Sequence, residues 1–180
     1  VEAAVDRGAT VTLVTGPVAL DTPHGVRRVN VATAGEMLAA LQEATAAADA
    51  LVMAAAPADF RPGDPSPHKL KKEPGQETMR VELSKNPDIL ASLPGGGVRV
   101  GFAAETQDLA RNAVAKLAAK RLDFICANDV TAAGSGFGTE TNQVTIFHRD
   151  GTVEELPLLS KYEVAHAIWD RVLRVVSTEA

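Results

Sequence analysis

The sequence predicts a three-layer α/β domain, with a mostly parallel sheet between helices and a β-hairpin appended near the C-terminus. Three observations predict this class. Short apolar runs alternate with helix-like stretches from residue 9 to residue 127, which is typical of parallel strands joined by crossovers. Residues 50–55 are all apolar, as expected of a strand covered on both faces. Asp150-Gly151 separates two β-rich runs and is the strongest short hairpin signal.

The predicted elements follow in chain order. Strands are predicted at residues 9–15, 26–31, 50–55, 79–83, 98–103, 123–127, 143–148 and 152–156. Helices are predicted at residues 1–7, 34–48, 86–93, 108–120 and 160–176. Thr33 and Ser160 are the expected N-caps, and Gly8 ends the first helix. Tyr162 and Trp169 are expected to pack inside. Together these elements predict a Rossmann-like sheet within a single domain, residues 1–180.

Composition excludes several classes of function. Hydrophobic residues make up 46% of the 180 residues and charged residues 23%, which is ordinary for a globular domain. The formal charge of −5 argues against a nucleic-acid partner. No apolar run approaches the roughly 20 residues of a membrane span, and no signal-peptide pattern is present. Cys126, the single cysteine, excludes an internal disulfide and lies in an apolar run, so we expect a buried, unreactive thiol and a cytoplasmic protein.

Polar residues follow three predicted strands. They are Asp59, Glu105-Thr106 and Asn128-Asp129. Parallel strands place their carboxyl ends along one edge, where open α/β sheets bind ligands. Lys69, Lys71 and Lys72 follow Asp59 within a short loop. Lysines pair with phosphates and carboxylates hold Mg²⁺, so this edge predicts a magnesium-nucleotide site. A solvated charged loop is the alternative for this segment taken alone.

Other motifs are absent or ambiguous. The four histidines have no metal-ligand spacing, and the sequence has no Gly-x-Ser-x-Gly elbow, dinucleotide fingerprint or Walker loop. Lys116 and Lys120 share one helix face, which the residues alone favour as solvated surface. Phe102 either packs in the core or borders a nucleotide base. Asn86 either caps a helix or meets an anion there.

Five ordered segments resemble the phosphopantothenoylcysteine synthetase family. They are residues 54–62, 69–72, 85–89, 100–106 and 126–130. The similarity extends from Gly8 to the last helix. In bacteria this activity is usually the C-terminal half of a bifunctional coenzyme A biosynthesis protein, so the resemblance implies an upstream flavin-dependent decarboxylase domain. It also implies a homodimer, for which we expect residues 143–156 to pair with the partner.

The resemblance implies a two-step ligase reaction. The carboxylate of 4'-phosphopantothenate attacks the α-phosphate of CTP with Mg²⁺, and cysteine then displaces CMP. Lys69 and Asp59 would be the catalytic residues, with Asp59 also a Mg²⁺ ligand. Lys69 matches the first lysine of the family's Lys-Ile-Lys-Lys motif, near the phosphates. The positions matched to the nucleotide site are Met53, Ala54, Ala55, Asp59, Lys69, Asn86, Pro87, Asp88, Ile89, Phe102, Lys116 and Lys120.

The sequence also departs from the family pattern. Leu70 for isoleucine and Pro57 for valine are mild changes. The family begins with a strand, a glycine-threonine loop and an Asn-x-Ser-Ser-Gly segment, and none of these is present. We therefore expect an N-terminally truncated domain that folds but is impaired in catalysis. The first helix supports this expectation, since in a βαβ unit it should follow a strand.

Two other functions compete with the ligase. The first is a non-catalytic nucleotide-binding or assembly fragment of the same enzyme. The second is a dinucleotide-dependent reductase, which the α/β pattern alone allows but which lacks any glycine fingerprint. Residues alone do not separate CTP from ATP.

Overall fold

The structure is a computed structural model that describes residues 1–72, 74–105, 108–129, 134 and 138–179. The helices are α1 (Glu2–Val5), α2 (Ala34–Ala44), α3 (Ile89–Ser92), α4 (Leu109–Ala119) and α5 (Lys161–Glu179). The strands are β1 (Thr12–Thr15), β2 (Arg27–Asn30), β3 (Ala50–Met53), β4 (Phe60–Pro62), β5 (Leu83–Lys85), β6 (Val98–Glu105), β7 (Phe124–Asp129), β8 (Thr141–Asn142), β9 (Thr145–His148), β10 (Val153–Glu155) and β11 (Leu159–Ser160). Within these described elements, no helix combines the length and apolar content needed to cross a bilayer.

The central sheet joins three parallel strands to an antiparallel hairpin. Its order is β10-β9-β7-β6-β3. β3 and β7 both pair with β6 in parallel, whereas β9 runs antiparallel to β7 and to β10. β1 and β2 form a separate parallel pair. The predicted α/β class, with a mostly parallel sheet and an appended hairpin, is confirmed.

Helices cover both faces of this sheet. One buried cluster joins α2, α3 and α4 to the sheet through Met37, Leu41, Leu90 and Leu117. The other lies beneath α5, where Val164, Ile168 and Val172 meet Val100, Phe124 and Ile146. α1 packs on α5, and the Arg7 guanidinium pairs with Asp170 across 2.8 Å (Nη1–Oδ1). The layers are therefore helix, sheet and helix, as predicted.

The predicted N-caps Thr33 and Ser160 and the hairpin turn are confirmed, whereas the helix predicted at residues 86–93 is only Ile89–Ser92 and is capped by Asp88 instead of Asn86. Thr33 Oγ1 accepts the Glu36 amide while the Glu36 carboxylate accepts the Thr33 amide, which is a capping box. Ser160 and Glu163 make the same exchange at α5. Gly151 has φ of +90°, which explains why glycine occupies this hairpin position. Each of these signals lies within a few residues of the structure it determines.

Two predictions about packing are wrong. Residues 79–83 were expected to form a half-buried strand, but the strand is β5, which pairs only with β4 in the described structure. This two-stranded ribbon stands outside the central sheet, so no layer covers Met79, Val81 or Leu83, and each is more than half exposed. Tyr162 is 47% exposed because its hydroxyl donates to Asp6 Oδ2 at 2.6 Å instead of entering the core. Trp169 does pack against the cluster beneath α5.

Candidate functional site

The polar residues predicted at the strand ends occupy different environments. After β3 the chain runs exposed through Ala54 and Ala55 to Asp59, which is also exposed. Asn128 lies within β7 and is only 8% exposed. The backbone register pairs Glu105 with Asp129, so β6 and β7 do end side by side, as the fold class requires. Thr106 and the side chains of Glu105 and Asp129 lie outside the described residues.

A cavity of about 930 Å³ opens beside the end of β3. This volume is in the range of about 300–1,000 Å³ that small-molecule sites occupy. Of the residues predicted for the nucleotide site, Ala55, Asn86 and Pro87 line it. The rest of the wall comes from segments after β1, at the start of α2 and along β4, namely Gly16, Val31, Ala32, Thr33, Ala34, Gly35, Met37, Ala56, Pro57, Ala58, Phe60, Arg61, Pro62 and Pro65.

The start of α2 is a part of this wall that sequence reasoning identified only as a helix cap. Helix N-termini present unpaired amides and partial positive charge, and they commonly bind phosphate. The Glu36 carboxylate already accepts the Ala32 amide at 2.7 Å, so this end of the helix also carries a negative side chain. Gly35 adds no side chain to the cavity wall. The available signal was a glycine in the first turn of a helix that follows a strand.

Asn86 fastens the loop after β3 to the start of α3. Its backbone nitrogen donates to Asp59 O at 2.8 Å, and its side-chain nitrogen Nδ2 donates to Ala58 O at 2.8 Å. Arg61 Nη1 donates to Asn86 Oδ1 and to Lys85 O, each at 3.0 Å. These bonds fix which way the Asn86 amide faces. Arg61 was not among the predicted site residues, although it lies in the segment that carries the resemblance.

Lys120 lies against the segment that Asn86 begins. Its Nζ is 3.4 Å from Asp88 Oδ1, and the same oxygen accepts the Ala91 amide as the N-cap of α3. Lys116, one turn earlier on α4, is half-buried. Lys120 is therefore not an isolated surface lysine, which the residues alone had favoured.

Three predicted positions pack in the core instead of facing the cavity. Met53 and Ile89 are buried in the cluster between the sheet and α2, α3 and α4. Phe102 is half-buried and packs on the opposite face, in the cluster beneath α5. The structure therefore separates Phe102 from Lys116 and Lys120 by the sheet itself.

The two predicted catalytic residues, Asp59 and Lys69, are both exposed. Asp59 precedes β4, and Lys69 lies in the irregular stretch between β4 and β5; neither lines the cavity. Among the described residues, no group of three His, Cys, Asp or Glu side chains could hold a metal. A single carboxylate still suits Mg²⁺, which commonly takes one or two carboxylates together with substrate phosphates. Burial raises the pKa of the Cys126 thiol to about 12, as expected of an unreactive cysteine.

The chain belongs to the family described as the DNA/pantothenate metabolism flavoprotein C-terminal domain, which it matches over residues 1–176. It is 46% identical over 175 residues to the coenzyme A biosynthesis bifunctional protein CoaBC of Bacillus subtilis, covering 95% of this chain and 43% of that protein. The Escherichia coli protein of the same name is 40% identical over 176 residues, with 95% and 43% covered. The chain thus spans less than half the length of these relatives.

Solved structures show the same fold. The crystal structure of the C-terminal domain of a CoaBC protein superposes with a TM-score of 0.79 at 34% identity, covering 98% of this chain and 80% of that one. A Cab2 mutant in complex with phosphopantothenate-cysteine superposes with a TM-score of 0.64 at 18% identity, covering 86% and 54%. At that identity the second likeness concerns the fold alone. The resemblance found in the sequence is confirmed as family membership.

Proposed function

We propose that this domain is a phosphopantothenate–cysteine ligase of coenzyme A biosynthesis. The observation that carries the proposal is identity of 40% or more, along nearly the whole chain, to relatives named for that biosynthesis. The cavity beside β3 supports it, because residues from the matched segments line its wall. The bifunctional name of these relatives supports an upstream decarboxylase domain, and their metabolic role supports a cytoplasmic location.

CTP is the proposed activating nucleotide. The substrate carboxylate attacks the α-phosphate of CTP, forming an acyl-cytidylate and releasing pyrophosphate. The amine of cysteine then attacks the acyl carbon, forming the amide and releasing CMP and a proton. The substrate supplies its own nucleophile, so no protein nucleophile is needed, which agrees with a buried Cys126.

The proposed work of the protein is electrostatic. Lys69 contributes a fixed positive charge where charge develops on the phosphates, and such preorganised charges are among the largest catalytic effects. Mg²⁺, when bound with Asp59 and the phosphates, neutralises charge on the triphosphate. Asn86, oriented by Arg61, holds its amide at the cavity wall. Lys120 and Asp88 steady the start of α3 beside it.

Pyrophosphate release tests the proposal. The protein is incubated with CTP, Mg²⁺, 4'-phosphopantothenate and cysteine, both as this chain and as a form extended upstream of Val1 by its native sequence. We expect the extended form to release pyrophosphate in proportion to amide formed, and this chain to release less. Release with ATP but not CTP would contradict the nucleotide assignment. CTP binding with no turnover in either form would favour a non-catalytic fragment.

We also propose that the domain pairs with a second copy through residues 143–156. β10 ends the central sheet, so its outer edge has no strand partner in the described chain, and Val153 is 53% exposed. An open strand edge readily pairs with another chain. We expect a dimer by light scattering that Val153→Asp converts to monomer. A monomer produced instead by Val81→Asp, on the exposed ribbon, would contradict this choice of interface.

A further inference from the structure

A second cavity lies at the amino ends of β6 and β7, at the edge opposite the strand exits. Its volume is about 280 Å³. The residues that line it are Gly95, Gly96, Gly97, Arg99, Arg121, Asp123 and Arg149. Three arginines thus share the wall with one acidic residue among the described lining residues. Since the whole chain is acidic, with a formal charge of −5, this basic cavity is a local feature.

Arg99 is the buried member of the three. It is 4% exposed, and its Nη atoms donate to carbonyl oxygens near the end of α3, those of Leu90 and Leu93. Its Nε is buried without a hydrogen-bond partner in the described structure. Burial, together with the nearby guanidinium of Arg121, lowers the pKa of Arg99. A buried cation that faces other cations is costly, so a bound anion would stabilise this arrangement.

Arg121 and Arg149 are held mainly by backbone carbonyls. Arg121 Nη2 donates to Ala91 O at 3.2 Å, and Arg149 Nε donates to Leu122 O at 3.0 Å. Asp123, the one carboxylate among the described residues of the wall, pairs with Arg149 at 3.1 Å (Oδ1–Nη2), and its other oxygen accepts the Arg99 backbone amide at 2.7 Å. Carbonyl oxygens orient guanidinium groups but carry no full charge. Most of the positive charge in this cavity is therefore uncompensated by the protein.

The glycine loop forms the remaining wall of the cavity. Gly97 has φ of +61°, and a Cβ there would lie 2.5 Å from Asp49 O, so only glycine fits. Gly95 and Gly96 likewise add no side chains. Glycine backbone, arginine side chains and the Asp123 carboxylate are the chemical surface that an entering ligand meets.

We propose that this cavity binds a small oxyanion of the phosphate class. Guanidinium groups match the oxygens of such ions in geometry and charge. The cavity is smaller than the about 300–1,000 Å³ of sites for drug-sized ligands, which favours an ion over a nucleotide. The site is distinct from the proposed CTP site, because the two lie at opposite ends of the parallel strands.

Titration calorimetry with inorganic phosphate, against sodium chloride at matched ionic strength, tests the site. We expect Arg149→Gln to weaken phosphate binding about tenfold, the usual effect of losing a charge-assisted hydrogen bond. Asp123→Asn keeps an acceptor for the Arg99 amide but removes the only negative charge in the wall, so it should tighten binding. Lys69→Ala should leave phosphate binding unchanged. The matched control for Arg149→Gln is Arg27→Gln, at an exposed arginine that pairs with Glu43.

Chemical labelling gives a second test that needs no variant. Phosphate should protect Arg121 and Arg149 of the unaltered chain from phenylglyoxal, as measured by peptide mass spectrometry, while Arg27 stays reactive. Pyrophosphate, run separately, distinguishes a larger phosphate ligand from the free ion. Absence of phosphate binding, or binding lost in Lys69→Ala and retained in Arg149→Gln, would overturn the proposal. Neither result would bear on the ligase reaction, which is measured by pyrophosphate release.

Discussion

The two edges of the central sheet differ in how much of the chain is buried. One edge is β3, and the other is the β9–β10 hairpin. Beside β3, every described residue from 54 to 85 is exposed, including Asp59 and Lys69. At the hairpin end, Val144 and Ile146 are at most 1% exposed beneath α5. The exposed region carries four of the positions matched to nucleotide binding, which are Ala54, Ala55, Asp59 and Lys69, whereas β9 and β10 carry none. Substitutions in the first should therefore change binding, whereas those in the second should change stability.

Polar contacts reinforce the hairpin end. Glu154 accepts from Arg171 Nη2 at 2.5 Å, and its other oxygen lies 2.7 Å from His148 Nε2. Arg171 belongs to α5, so the group joins hairpin and helix. In the exposed region the loop is fastened to the start of α3 mainly through Asn86, which bonds to Ala58, Asp59 and Arg61. Few anchors leave such a loop free to adjust around a ligand, which is common for binding segments.

The largest expected effect compares two phenylalanines. Phe124 is fully buried and Phe60 is 54% exposed. We expect Phe124→Ala to lower the free energy of unfolding by about 3–5 kcal/mol, through lost burial and a cavity. Phe60→Ala should change it by about 0.5 kcal/mol or less, as surface substitutions usually do. Urea unfolding measures both, and equal losses would remove the contrast between the two regions.

The Glu154 contact should make stability depend on pH. Its hydrogen bond from Arg171 lowers the pKa of Glu154, so the folded protein holds the carboxylate charged to lower pH than the unfolded chain does. The resulting stabilisation is complete above the unfolded pKa of about 4.5 and is lost as pH falls through the folded pKa. We expect Glu154→Gln to cost about 2 kcal/mol at pH 7. The exposed neighbour substitution Glu155→Gln is the control.

Thermal unfolding from pH 7 to pH 3 measures this difference. The gap between the parent and Glu154→Gln should close at the acid end. A gap that stays constant across the range would mean that the glutamine is destabilising for reasons other than lost charge.

A smaller effect is expected at the α2 cap. Thr33→Ala removes the acceptor for the Glu36 amide and should cost about 1 kcal/mol. Thr33→Ser keeps the hydroxyl and should restore most of this loss. The midpoints of denaturant unfolding of the two variants and the parent measure these effects. Equal midpoints for Thr33→Ser and Thr33→Ala would contradict the capping role.

Local sequence signals predicted much of the fold. Thr33, Ser160 and Gly151 act within a few residues, so their structures could be read from the chain. The prediction of a half-buried strand at residues 79–83 was wrong because alternation of apolar and polar residues does not show whether another layer covers the strand. The alternation of apolar runs with helix-like stretches predicted parallel strands. Parallel strands end at the same edge of a sheet, and β6 and β7 do so here.

The candidate site was less predictable because its contacts are distant in sequence. Arg61 and Asn86 are 25 residues apart. Arg99, Arg121 and Arg149 come from three separate loops or strand starts and share no motif. Lys120 Nζ lies 3.4 Å from Asp88 Oδ1, and no sequence pattern predicted this pairing. The sequence resemblance named Ala55, Asn86 and Pro87, which line the cavity, without showing which residues they contact.

Calorimetric titration with CTP and Mg²⁺, paired with urea unfolding, tests whether the exposed region beside β3 binds the nucleotide. The parent chain is compared with Lys69→Ala and with the control Lys161→Ala, at another exposed lysine. We predict that Lys69→Ala weakens CTP binding about tenfold or more and leaves the free energy of unfolding unchanged, while the control changes neither. Unchanged CTP affinity in Lys69→Ala would contradict the assignment of this exposed edge as the nucleotide site.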